Sequence, residues 1–317
     1  MVLAAYDKHW DTANKPTYQR VVVAITADAA TQQQQLSAGE VDLALSIPLE
    51  NVADLADSEE YEVLDFDSPF SYVGFFNTTK PPLDDPKVRQ ALSYALPYTD
   101  IIDVGAEGYG KQSRGPVPEG IFPYDPETPQ YTQDLDRAKA LLEEAGQGNG
   151  FELDLTYAAE NQNEKRFVPL IKDAFAKIGV IVKPRAMLFN QQWERGKGDP
   201  SKAQDMFVVL YWPTYSDAGA DNLYSLFHSS DEPFFNLSYW KDAAYDTLVD
   251  DAVKITGTDR DAAQVKYSEA MRMLHDQAPG FFLYDARSVY VVPKSLEGFD
   301  VNLNYPFSVF FSTLRPA

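Results

Sequence analysis

The stretch from Phe151 to Arg185 constrains the fold more than any other. "FELDLTYA" alternates strictly, with Phe151, Leu153, Leu155 and Tyr157 on one side, which is the period of a β-strand. "NEKRFVPLIKDAFAKIG" follows and puts Phe167, Leu170, Ile171, Ala174, Phe175 and Ile178 on one helical face, with Gly179 as its stop. "VIVKPR" then reads as a second strand. Strand, amphipathic helix, strand is a β-α-β unit, so parallel pairing with a right-handed crossover and an α/β fold are expected.

Other segments fit that class. In "DDPKVRQALSYALPYTDIIDVG", Asp85 caps a helix, Pro86 takes its first position, and Pro97 ends or kinks it. Val88, Ala91, Leu92 and Ala95 form its core stripe. "DLDRAKALLEEAG" gives a helix with Leu135, Ala138, Leu141, Leu142 and Ala145 facing inward. Two more amphipathic helices lie in "YWKDAAYDTLVDDAVKI" and "RDAAQVKYSEAMRMLHDQA". Strands are predicted at "YQRVVVAIT", "VDLAL", "YEVLDF", "SYVGFFN" and "GFFLYDARSVYVV". The Gly- and Pro-dense run "YGKQSRGPVPEGIFPYDPETPQY" must be a long excursion, a kind of loop that is often functional.

A chain of 317 residues suits two lobes. Strands dominate before Asn77 and return at the end, so residues 1–77 with 286–317 are expected to form one partial, strand-rich lobe and 78–285 a mixed second one. The net charge of −21 repels phosphate backbones and argues against nucleic-acid binding. The absence of cysteine removes disulfides, thiolate metal sites and cysteine nucleophiles. The histidines His9, His228 and His275 lack metal-site spacing, and no GxSxG, Walker A or GxGxxG motif occurs, so no metal or cofactor is expected. No apolar run is long enough to span a membrane, and "MVLAAYDKHW" lacks the basic and apolar regions of a signal peptide.

The segment "DMFVVLYWPTYSDAGADNLYSLF" is the candidate site. A buried strand opens into rings, hydroxyls and acids, and ligands of α/β sheets bind beyond the carboxyl ends of strands. Trp212, Tyr215 and Asp217 are expected to line a cleft, with Tyr211, Thr214, Asp221 and Trp193 supporting or touching ligand. Phe76 and Asn77 are placed where the chain crosses between lobes. The same residues leave a rival open: a secreted hydrolase of a polymer with Asp217 and Asp221 as acid and base. A fragment that has lost its cleft is a third reading.

"SAGEVDLAL", "FFNTTKPPLDDPKVRQALSYAL", "LDRAKALLEEAG" and "YWPTYSDAGADNLYSLFHS" occur in that order, followed by "NLSYW" and "YDTLVDDA". Together they resemble the family 5 extracellular solute-binding proteins, the oligopeptide-, dipeptide- and nickel-binding receptors of ABC importers. The resemblance implies a two-lobed, type II Venus-flytrap fold that holds a small molecule or peptide and hands it to a membrane permease, outside the cytoplasm and without catalysis. It also implies that the N-terminal part of the first lobe is missing here, so that a bared apolar edge would be met by a partner chain, by self-association or by the rest of a longer chain. Peptide-binding members carry an Asp two or three residues after the loop Trp, where this chain has Thr214 and Tyr215. That opens the way to a hydroxyl-rich ligand such as an oligosaccharide stacked on Trp212 and Tyr215.

Overall fold

The computed structural model describes residues 1–11, 15–212, 217–232, 235–300 and 308–317. Contacts divide the chain into Met1–Ser68 with Arg287–Ala317, and Pro69–Ala286. The first boundary therefore falls before the expected crossing at Phe76 and Asn77.

In the first unit, β1 (Val2–Ala4) and β2 (Arg20–Val22) form a two-stranded antiparallel sheet. Helices α1 (Ala29–Ser37) and α2 (Val52–Ala56) follow. The predicted strand at 18–26 shrinks to β2, and "VDLAL" is not a strand, because no described strand pairs with it. The two strands predicted at "YEVLDF" and "SYVGFFN" are one, β3 (Tyr61–Phe76). Pro69 lacks a donor, but its fixed φ is compatible with extended chain, so the strand runs on.

The second unit adds α3 (Pro86–Ala95), α4 (Tyr98–Gly105), β4 (Gly110–Gln112), α5 (Leu135–Glu144), β5 (Phe151–Ala158), α6 (Gln162–Ala176) and β6 (Val180–Met187). It continues with α7 (Phe189–Lys197), β7 (Met206–Tyr211), α8 (Ala243–Ile255), α9 (Arg260–Gln277) and the first half of β8 (Gly280–Pro293), a strand that, like β3, belongs to both units. Past β8, the first unit closes with β9 (Leu296–Glu297) paired to β10 (Arg315–Pro316).

One six-stranded sheet runs in the order β4-β8-β3-β7-β5-β6. The expected β-α-β unit is there: β5 pairs with β6 in parallel, from Phe151↔Val180 to Ala158↔Met187. β7 pairs parallel to β5 and antiparallel to β3. Alternate residues of β3 and β7 feed two separate cores. Tyr72, Phe76, Met206 and Val208 pack with α3, α5 and α6, whereas Val73, Phe75, Phe207, Val209 and Tyr211 pack with α8 and α9. Being covered on both faces is why these strands read as continuous apolar runs. Gly74 is required on β3 because the Phe281 ring occupies the place its Cβ would take.

Helix starts follow their caps. Asp85 accepts from Lys87 N at 2.8 Å with Pro86 in the first turn, and Asp134 accepts from Arg137 N at 2.8 Å. Arg89 was not anticipated. It is buried on α3, where it donates to the carbonyls of Leu83, Asp84, Gln277 and Ala278, tying α3 to the end of α9.

Candidate functional site

Because β5, β6 and β7 run parallel, their carboxyl ends Ala158, Met187 and Tyr211 lie along one edge of the sheet. β3 runs the other way and brings Ser71 opposite Tyr211 at that same edge. β8 adds Asp285, whose Oδ1 accepts from the Ser71 hydroxyl at 2.8 Å.

Trp212 is the first residue beyond β7 and is 50% exposed. Its ring stands edge-on to Phe70, with centroids 6.2 Å apart. The rings preceding it on β7, Phe207 and Tyr211, are buried. Thr214 and Tyr215 lie outside the described residues.

The two acids of this segment are both engaged. Asp221 is buried and accepts the Tyr211 hydroxyl at 2.5 Å. Burial, with that carboxylate beside it, pushes the Tyr211 phenol far above its ordinary range. Asp217 Oδ1 accepts from Gly219 N at 2.9 Å, at the start of a π-helical turn, Gly219–Ser225. π-Turns are rare and concentrate at functional sites. Asp217 also bridges to Phe122 in the long excursion, where Ala218 N donates to Phe122 O at 2.8 Å.

The remaining candidates sit elsewhere. Trp193 is half-buried among Phe189, Phe207 and Phe235 and serves the α8–α9 core. Phe76 and Asn77 are fully buried at the opposite end of β3. Phe76 pairs with Met206, five pairs from the Ser71–Tyr211 pair, or roughly 17 Å along the strand. Asn77 donates to Pro200 O at 2.8 Å and Gln204 O at 3.2 Å, which fixes the entry to β7. The structure therefore separates these two from Trp212, and they do not mark the crossing between units. His228 packs on Tyr224 and lies 3.3 Å from Asp250 of α8.

Two carboxyls at the edge escaped sequence reasoning. Glu164, on α6, is buried and accepts from Ala158 N at 2.6 Å and from the Leu210 amide. Burial overrides these donors and pushes its carboxyl up to about 8. Asp285 is 7% exposed, and burial raises it to about 6 against the pull of three donors. For Asp285 the available signal was an acid in the largely apolar run "GFFLYDARSVYVV".

The model of the bacterial extracellular solute-binding proteins, family 5 Middle, matches residues 1–234. The chain belongs to this family. Among its relatives, the heme-binding protein A of Haemophilus influenzae is 32% identical over 300 residues, covering 92% of this chain and 52% of that protein. The dipeptide-binding protein of Escherichia coli is 30% identical over 308 residues, covering 94% of this chain and 55% of that protein. The solved structure of the ABC transporter-associated periplasmic binding protein DppA of Helicobacter pylori, in complex with the peptide STSA, superposes with a TM-score of 0.83 at 25% identity, covering 99% of this chain and 60% of that one. The family 5 chain described here spans about half the length of the curated relatives it matches, and its fold is that of the periplasmic binding proteins. The family consists of solute-binding proteins rather than enzymes.

Proposed function

We propose that this chain supplies part of the substrate-binding component of an ABC importer and takes a peptide-class solute at the carboxyl edge of its six-stranded sheet. The observation that carries this is the half-exposed Trp212 ring, set at the end of a strand whose other rings are buried. A flat ring with a polar edge gives a small ligand much contact area at low entropic cost. Relatives named for dipeptide binding and crystallised with a peptide favour a peptide over an oligosaccharide. Polymer hydrolysis finds no support, because Asp221 is buried on Tyr211 and Asp217 is engaged with the Gly219 amide. No catalytic role is assigned.

The protein would work outside the cytoplasm with a membrane permease. The first unit exposes Val2, Leu3, Trp10, Val22 and Ile25. An apolar surface of that kind is buried against further polypeptide, whether further residues of a longer chain, a partner chain or a second copy. Native mass spectrometry of the purified protein tests both points. A carried-over mass of peptide size and a defined assembly are expected, and a ligand-free monomer that binds no peptide contradicts the reading.

A further inference from the structure

The excursion between β4 and α5 is rich in Gly and Pro, a composition that ordinarily leaves a loop loose. Here it is fastened at several points, four of them to Asp285 and the π-turn. Asp285 Oδ1 accepts from the Ser113 hydroxyl at 2.6 Å as well as from Ser71, and its Oδ2 accepts from Glu119 N at 3.2 Å. Asn222, fully buried on the π-turn, donates to Pro116 O at 2.5 Å. Ala218 N donates to Phe122 O. The fastening groups come from both sides of the Trp212 segment. Ser71 lies opposite Tyr211 on β3, while Ala218 and Asn222 follow Asp217.

We propose that Asp285 is a positioning residue that docks residues 113–119 against β3, making the excursion a fixed wall of the ligand face beside Trp212. A buried carboxylate is costly unless its oxygens are satisfied, and here each donor it accepts comes from a different place in the chain. The charged neighbours are consistent with a built junction. Lys111, opposite Asp285 across the β4–β8 pairing, is ion-paired to Glu119.

This inference rests on the peptide-binding reading, and its test separates the two. Amide hydrogen exchange needs no ligand. In Asp285→Ala, the Glu119 amide and residues 113–117 should exchange faster by about tenfold or more. Asp285→Asn keeps an oxygen for both serine hydroxyls but loses the acceptor for Glu119 N. It should free the Glu119 amide while Ser113 stays protected, which a merely structural loss of packing would not reproduce. Affinity for the dipeptide Met-Leu and the tetrapeptide Ser-Thr-Ser-Ala, measured by calorimetry, should fall by roughly two- to tenfold in Asp285→Ala and less in Asp285→Asn. Should Asp285→Ala fail to fold, Ser113→Ala replaces it, with faster exchange at 113–117 and weaker peptide binding expected. Unchanged exchange at Glu119 overturns the docking, and a loosened excursion with unchanged affinity overturns its role as a wall. A wild type that binds neither peptide overturns the binding reading instead, and the exchange result still decides the docking.

Discussion

The Trp212 ring meets the ring of Phe70 edge to face, at 6.2 Å and an interplanar angle of 81°, across the β3–β7 pair. One edge of the indole is thus held while half of its surface stays open. If a ligand stacks there as proposed, a ring fixed on one side and free on the other loses little side-chain entropy on contact.

Trp212→Ala should therefore weaken peptide binding by about 1–3 kcal/mol, with little change in folding stability, since the ring is half in water already. Calorimetric titration with Met-Leu alongside a thermal melt checks this. Unchanged affinity removes Trp212 from the site.

Glu164 makes stability depend on pH in a definite direction. Its carboxyl sits near 4.5 when unfolded and about 8 when folded, so the folded state prefers the proton. The stabilisation from this group is complete below about 4.5 and is lost as pH climbs towards 8, on the order of a few kcal/mol in all. Glu164→Gln imitates the protonated acid, keeps an acceptor for the Ala158 amide and cannot ionise. Urea denaturation from pH 5 to 8 should show a flatter profile for Glu164→Gln and higher stability than wild type at pH 8. Identical slopes would refute the assignment.

Arg89 is a buried charge on α3 whose loss should be costly. Burial lowers its guanidinium to about 10, yet it remains charged at neutral pH and donates to four carbonyls. Arg89→Met strands those carbonyls and should cost about 3–5 kcal/mol. Arg89→Lys should rescue little, because a point charge cannot reproduce the planar fork. The midpoint of urea unfolding reads both variants, and wild-type values for Arg89→Lys would contradict the geometry.

Tyr211→Phe takes away the hydroxyl that faces buried Asp221, and should destabilise by about 1–3 kcal/mol. Circular dichroism melts measure it. An unaltered melt would mean that the Tyr211–Asp221 contact does not hold the segment.

Local patterning made much of the second unit legible. The β-α-β run, the cap at Asp85, and the core faces of α5 and α6 were all readable, because period and cap chemistry are local properties. The position of Trp212 was readable too, since it follows from strand direction. What failed was non-local. "VDLAL" has strand composition but no partner, and Ser68–Pro69 looks like a break where the chain stays extended. Phe76 and Asn77 were placed in the site as the point where the chain crosses between lobes, but antiparallel register puts them at the far end of the sheet from Trp212. Glu164 looks like a surface acid in a chain with 48 of them, and only the fold reveals that it is buried, whereas Asp285 could have been suspected from its place in a largely apolar strand.

Fluorine NMR of protein labelled with 5-fluorotryptophan tests the central claim most directly. The four resonances of Trp10, Trp193, Trp212 and Trp240 can be assigned by single Trp→Phe variants. On saturation with a peptide the protein binds, the Trp212 signal should move, while the signals of half-buried Trp193 and buried Trp240 hold still. Saturable binding that leaves the Trp212 resonance in place would contradict the account.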